Sequence, residues 1–218
     1  MLLFCHLEKI IKLATNKKKL AFLFFFIFLY NSISNALTNN VVATVDNTLI
    51  AELDIKKEID FLKFINKSEI DVNSIKIKKE ITEMLVNRKI KKIEVDNAKI
   101  QINEKETDNY LYNYLINQKI DNESLNNFYK AKKIEEDYLR NILEIDLKWI
   151  KLIRQSYDGK ININLTEVNK EIKKESNNDE DNEKLKIQII ASEKDKLFTK
   201  FATTHLEKSK RKYLIKFQ

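Results

Sequence analysis

The chain of 218 residues has no proline, one glycine, one cysteine and two histidines. A phosphate-binding loop needs several glycines, and a zinc site needs Cys or His pairs at defined spacing, so neither site is predicted. The single Cys5 has no second thiol with which to form an intramolecular disulfide. No serine stands in the turn motif of a nucleophilic hydrolase. These absences predict a protein that is not an enzyme and that holds no cofactor and no metal ion.

Residues 1–36 have the features of an export signal. Three lysines at 17–19 precede an apolar run at 20–30, and the small residues Ser34 and Ala36 occupy the positions of a cleavage site. An apolar run of this length forms about 16 Å of helix, which is half of the apolar thickness of a bilayer. We therefore predict cleavage after about Ala36, a periplasmic mature protein and no stable membrane span. The alternative is an uncleaved signal that anchors the chain in the inner membrane.

The charge of the predicted mature chain is nearly balanced. Removing residues 1–36 takes away five of the 40 basic residues and one of the 33 acidic residues, which leaves a net charge of +3. The two signs alternate along the predicted helix faces, as is typical of a solvated helical surface rather than a phosphate-binding stripe. The sequence therefore predicts no nucleic-acid partner.

Hydrophobic periodicity predicts a mainly α, multi-helix fold. Residues 138–157 have the most extensive apolar face, since at about 100° per residue their polar side chains occupy only one narrow strip. Such a helix needs neighbours on several sides, so we expect it to be the central helix. The predicted helices are residues 54–66, 75–98, 104–118, 122–131, 135–157, 165–175 and 193–210.

Short extended runs add a few strands at both ends of the mature chain. The predicted strands are residues 41–45, 49–50, 185–191 and 213–217. We expect the first and the last to pair, because an isolated two-stranded unit is only marginally stable. The predicted organisation is a helical domain at 37–175, a polar linker at 176–184, and a strand-helix-strand segment at 185–218 that packs on the helical domain.

Asp146 breaks the apolar face of the central helix. Burying an unpaired carboxylate costs several kcal/mol, so we expect either an opening to water at this level or a cationic partner. For the partner, the first expectation is a Lys or Arg of residues 193–212.

Five segments resemble the SurA-type periplasmic chaperones: VVATVDNTLIAELDI, ITEMLVNRKI, AKIQINEKE, LRNILEIDL and KININLTEV. They cover roughly residues 41–175, the family's N-terminal chaperone domain. Residues 193–217 are similar in pattern to the family's closing helix and strand. The resemblance implies an ATP-independent periplasmic holdase whose partners are unfolded outer-membrane proteins.

The chain also departs from this family. Members usually carry one or two parvulin-type prolyl isomerase domains before the closing segment, and only residues 176–192 stand in that place here. The predicted mature chain has one histidine, His205, and one glycine, so a prolyl isomerase is disfavoured. Lys99 stands where the family usually has a helix-ending glycine. The alternative function is a non-catalytic structural or adaptor protein that binds one folded partner.

The aromatic residues of the helical segments are the candidate binding residues. Core packing of a small helical domain is one interpretation of them. The other is that some of the rings line an apolar groove that binds unfolded or extended polypeptides. The candidate peptide-binding residues are Tyr110, Tyr114, Phe128, Tyr129, Tyr138 and Trp149.

Overall fold

The computed structural model describes residues 40–175 and 179–218, so the predicted export signal lies outside the described residues. In this part of the chain the fold is mainly helical, with a three-stranded antiparallel sheet, as predicted. The strands are β1 (Val41–Val45), β2 (Thr48–Ala51) and β3 (Ile215–Phe217). The helices are α1 (Glu52–Asn66), α2 (Ile75–Asn97), α3 (Glu104–Gln118), α4 (Asn122–Lys132), α5 (Tyr138–Tyr157), α6 (Leu165–Glu175) and α7 (Asp179–Lys210).

Side-chain caps fix the starts of several helices. Ser74, Asn103 and Asp121 precede α2, α3 and α4, and each accepts a first-turn amide N–H, at 3.4, 2.8 and 2.7 Å. The first helix begins at Glu52, two residues before its predicted start, so Asp54 lies in its first turn. The Asp54 carboxylate accepts the backbone N–H that precedes the helix, at 2.9 Å.

Four helices end at lysine rather than at glycine. Each of these lysines has φ between 50° and 54°, in the left-handed region. Lys67, Lys119 and Lys133 directly follow α1, α3 and α4, and Lys99 is the second residue after α2. The residue after Lys99, Lys119 or Lys133 is a buried isoleucine. Its N–H donates to the carbonyl five residues earlier, at 3.0 Å in each case. The left-handed conformation costs about 1–2 kcal/mol for a residue with a β-carbon. The hydrogen bond from the isoleucine N–H and the burial of the isoleucine side chain offset this cost.

The sheet joins the two ends of the described chain. β1 is its central strand, with β2 on one side and β3 on the other. In the antiparallel pairing of β1 with β3, Ala43 lies opposite Phe217 and Val45 lies opposite Ile215. The predicted pairing of residues 41–45 with 213–217 is therefore confirmed.

The buried side chains form three clusters. The first lies between α1, α3, α4 and α5, and the second lies between the sheet, α1 and α2. The third joins the end of α2 to α5 and α7, and contains Val95, Ile100, Trp149, Leu152 and Ile153. The helix α5 contributes to the first and the third cluster and packs against α2, α3 and α7. Its predicted central position is confirmed.

The segment predicted as a strand at residues 185–191 is helical, because α7 runs from Asp179 to Lys210 without a break. Part of the predicted linker, residues 179–184, belongs to the same helix, and residues 176–178 lie outside the described residues. The alternating Leu185, Ile187 and Ile189 suggested a strand. In the structure Ile187 is exposed, whereas Leu185 and Ile189 are half-buried, so the helical spacing of four residues decides which side chains pack.

Candidate functional site

An apolar groove follows α5 and is bordered by α3 on one side and by α7 on the other. It consists of two cavities, of about 470 Å³ between α3 and α5 and about 240 Å³ between α5 and α7. The two cavities lie side by side along α5 and share Ile150 and Arg154 as lining residues. The groove residues are Ile102, Glu106, Asn109, Tyr110, Asn113, Leu147, Trp149, Ile150, Lys151, Ile153, Arg154, Asp195, Phe198, Thr199 and Ala202.

The apolar lining of the groove has a buried part and an accessible part. Trp149 is 4% exposed and contributes to the wall between α5 and α7, whereas Ile150 is 37% exposed at the junction of the two cavities. Tyr110 and Phe198 are half-buried and lie in opposite walls. An open surface of this kind supplies contact area to a ligand with apolar side chains.

The rim of the groove carries both signs of charge. Lys151 donates from Nζ to the carbonyl oxygen of Gln101 at 2.8 Å, and the Glu106 carboxylate accepts the Asn103 N–H at 3.1 Å. The Arg154 guanidinium lies 5.6 Å from the centroid of the Phe198 ring. A rim of mixed charge does not restrict the groove to ligands of one overall charge.

The structure brings only two of the six predicted aromatic residues to the groove, Tyr110 and Trp149. Phe128 and Tyr129 are buried in the first cluster, and Tyr114 and Tyr138 are half-buried against it. These four rings pack in or against the first cluster and do not line the groove.

Several groove residues were not among the predicted site residues, notably Ile102, Leu147, Ile150 and Phe198. Phe198 lies within the helix predicted at residues 193–210, but nothing in the sequence indicates that its side of this helix meets α5. Ile150 lies on the extensive apolar face of the central helix, where the sequence does not distinguish exposed from buried apolar residues.

A buried ion pair lies beside the groove helix, at the junction of α1, α2 and α5. Arg88 donates two hydrogen bonds to the buried Glu58 carboxylate, at 2.6 and 2.8 Å, and the Tyr138 hydroxyl donates a third, at 2.5 Å. Burial alone would lower the pKa of Arg88, but Glu58 raises it above its usual value. Burial and the adjacent Glu58 carboxylate raise the pKa of Tyr138. Both groups therefore keep their protons at neutral pH, and the hydrogen bonds of the cluster tie α5 to α1 and α2.

A second polar cluster, centred on Glu94 of α2, holds the C-terminal segment. Lys212 Nζ lies 2.9 and 3.2 Å from the two carboxylate oxygens, and the Tyr213 hydroxyl also donates to Glu94. His205 Nε2 is 3.3 Å from Glu94, and its Nδ1 is 3.1 Å from the hydroxyl of Tyr157. Burial would raise the pKa of Glu94, but hydrogen bonds from Tyr213 and Lys212 lower it to about 2. Burial and Glu94 raise the pKa of Tyr213 to about 12.

Asp146 pairs with a different helix from the one expected. Its carboxylate accepts from Lys91 Nζ of α2 at 2.7 Å, and its side chain is 38% exposed. The expected partner from residues 193–212 is therefore wrong. The reason is that α2, rather than α7, lies beside Asp146 on α5. Because the pair is also partly exposed, Asp146 has both a cationic partner and an opening to water.

Within the described part of the chain, no helix is long and apolar enough to cross a membrane. Among the same residues, no group of three or more His, Cys, Asp or Glu side chains is placed to hold a metal ion. Compared with known proteins, the chain matches no family model and no curated protein.

Proposed function

We propose that this chain is an ATP-independent holdase that binds unfolded polypeptides, among them outer-membrane proteins, in the periplasm. In this proposal the chain acts by binding alone and performs no chemical step. The observation that carries the proposal is the apolar groove along α5, which is open to water and has apolar walls on two further helices.

The groove geometry suits a sequence-tolerant ligand. Its apolar surface is spread over two adjacent open cavities rather than concentrated in one closed pocket, so side chains of different shape find contact area. Asn109 and Asn113 of α3 add amide groups that can donate to and accept from a peptide backbone. Backbone contacts do not depend on the client sequence, which is what a holdase needs.

The periplasm and the outer-membrane clients rest on the sequence. The features of residues 1–36 support export, and the resemblance of residues 41–175 to SurA-type chaperones supports the client class. The lack of a glycine-rich phosphate loop supports an activity that does not depend on ATP.

An aggregation assay with several clients tests the proposal. Three unrelated unfolded proteins, one of them an outer-membrane β-barrel protein, are diluted from denaturant with and without the chain, in the absence of ATP. We expect suppression of light scattering for all three. An adaptor that binds one folded partner would suppress none of them.

A matched pair of variants connects this activity to the groove. Ile150→Ser removes an apolar contact at the junction of the cavities, and Ile116→Ser makes the same change on α3 at a residue that is 55% exposed outside the groove. Losing about 1.4 kcal/mol of apolar contact weakens binding tenfold. We expect Ile150→Ser to need about tenfold more chaperone, whereas Ile116→Ser behaves like the wild type. Thermal melts of both variants verify that they are folded.

A further inference from the structure

The outer face of the three-stranded sheet carries exposed apolar side chains. Successive side chains of a strand point to opposite faces, so Leu49 lies on the face opposite the buried Ile50. Leu49 lies opposite Thr44 of β1, and Thr44 lies opposite Lys216 of β3, so these three residues form one row across the outer face. By the same alternation Leu214 shares this face with Lys216, and both leucines are more than half exposed. The sheet therefore presents apolar area that the core does not cover.

The chain around β3 is strongly basic. Residues 208–218 contain five basic residues and no acidic residue. Two of the five, Lys210 and Lys212, pair with Glu207 and Glu94. The other three are exposed and form no ion pair with any residue that the structure describes: Lys208, Arg211 and Lys216. These three cations are available to an anionic partner.

One acidic residue stands close to these cations. Asp46, in the turn between β1 and β2, accepts the N–H of Leu214 at 2.8 Å and is the one acidic residue of residues 41–51. It offsets one of the three cations, so the surface keeps a positive charge. Phe217 adds an aromatic ring that is more than half exposed at the edge of the sheet. We call this surface the sheet patch, and it consists of Leu49, Arg211, Leu214, Lys216 and Phe217.

We propose that the sheet patch docks on a bilayer surface that carries anionic lipid headgroups. Exposed apolar area next to uncompensated cations is the combination that such a surface binds, because the strength of peripheral binding grows with the buried apolar area and with the attraction to anionic lipids. The apolar side chains Leu49, Leu214 and Phe217 enter the headgroup region. Arg211 and Lys216 bind the phosphate groups of the lipids.

Charge favours this occupant over two others. A second copy of the chain, bound through the same patch, would bring the cations of both copies close together, and like charges repel across an interface. An unfolded polypeptide without an excess of acidic residues gains nothing from the cations, whereas a bilayer offers many phosphate groups at once. Neither groove cavity includes a residue of the sheet patch, so the inference does not depend on the proposed holdase function.

Sedimentation with lipid vesicles tests the inference. The three buried clusters and the sheet lie within residues 40–218, so the chain is used from Leu37 onwards. This omits the apolar run at residues 20–30, which would itself bind lipid. One set of vesicles contains equal parts of phosphatidylglycerol and phosphatidylcholine, and the other contains phosphatidylcholine alone. We expect much stronger binding to the anionic vesicles, and added salt should weaken it.

A matched pair of double variants separates the patch from the overall charge. A basic residue close to an anionic surface strengthens binding about fivefold, so Arg211→Gln with Lys216→Gln should weaken binding to the anionic vesicles about 25-fold. Lys184→Gln with Lys194→Gln removes the same charge from exposed positions of α7. These two lysines lie at least about 24 Å along the helix from its end at Lys210, which exceeds the screening length of physiological salt, so this variant should bind like the wild type.

A second matched pair tests the apolar part of the patch. Leu214→Ser should weaken binding to the anionic vesicles about tenfold, because the leucine side chain no longer enters the headgroup region. Ile187→Ser makes a similar change at an exposed position of α7 outside the patch and should bind like the wild type. Thermal melts verify that every variant is folded.

Several outcomes would overturn the inference. No binding to the anionic vesicles, equal binding to both kinds of vesicle, or an equal loss in the two double variants would show that the patch is not a lipid-binding surface. Sedimentation without lipid tests a second copy, since a dimer that Leu214→Ser dissociates would assign the patch to self-association. If Leu214→Ser stops the suppression of aggregation but keeps full vesicle binding, the patch belongs to an unfolded client instead.

Discussion

Replacing Glu94 with glutamine removes the charge that holds the C-terminal segment on α2. Glu94 is buried, but Lys212 and the Tyr213 hydroxyl hydrogen-bond to its carboxylate and lower its pKa from 4.5 to about 2, against the effect of burial. That difference in pKa corresponds to about 3 kcal/mol of folding free energy. The Lys212 side chain is 56% exposed, so screening by water reduces the expected contribution to about 2 kcal/mol.

The sign of the pH dependence follows from the direction of the shift. Because the folded state lowers the pKa of Glu94, its contribution is fully present above pH 4.5 and is lost as the pH falls to about 2. We expect Glu94→Gln to lower the free energy of unfolding by about 2 kcal/mol at pH 7. The difference from the wild type should shrink progressively below pH 4.5. Urea unfolding followed by the emission of Trp149 measures both quantities.

The same substitution at Glu207 provides the control. Glu207 pairs with Lys210 at 2.7 Å on the exposed face of α7. An exposed helical pair of this kind contributes about 0.3–0.5 kcal/mol, so Glu207→Gln should unfold almost like the wild type. Equal free energies of unfolding for the wild type and Glu94→Gln at pH 7 would mean that the Glu94 charge does not stabilise the folded state.

Three other predictions concern separate parts of the chain. Lys119→Gly should raise the free energy of unfolding by about 0.5–1 kcal/mol, because glycine adopts the left-handed helix end without cost; a destabilised variant would contradict this. Asp146→Ala should cost less than about 1 kcal/mol in chemical denaturation, since its pair with Lys91 is open to water, and a larger loss would show an uncompensated buried cation. If residues 1–36 are a cleaved export signal, N-terminal sequencing of the periplasmic fraction should begin at or near Leu37; a membrane-bound chain that retains Met1 would contradict the cleavage.

Most of the fold was predictable because its signals are local. The caps Ser74, Asn103 and Asp121 lie within three residues of the amides that they accept, so the helix starts can be read from the sequence. The wrong strand at residues 185–191 has a local cause as well. Leu185 and Ile189, which are four residues apart, also fit the half-buried face of a helix, and Ile187 between them is exposed on α7.

The groove and the polar clusters were much less predictable, because they depend on contacts between distant residues. Glu94 and Tyr213 are 119 residues apart, and nothing in either local sequence indicates the other. The same applies to Lys91 and Asp146. Aromatic character alone did not identify the groove, since it does not distinguish the buried Tyr129 from the accessible side of α5.

Site-specific photo-crosslinking shows directly where an unfolded client lies on the chain. A photo-reactive amino acid is placed at Ile150 in the groove or at Ile187, an exposed position of α7 outside it, and an unfolded outer-membrane protein is added. We expect strong crosslinks from position 150, which a competing unfolded polypeptide reduces, and several-fold fewer from position 187. Equal crosslinking from both positions, or none from position 150, would contradict the proposed binding of clients in the groove.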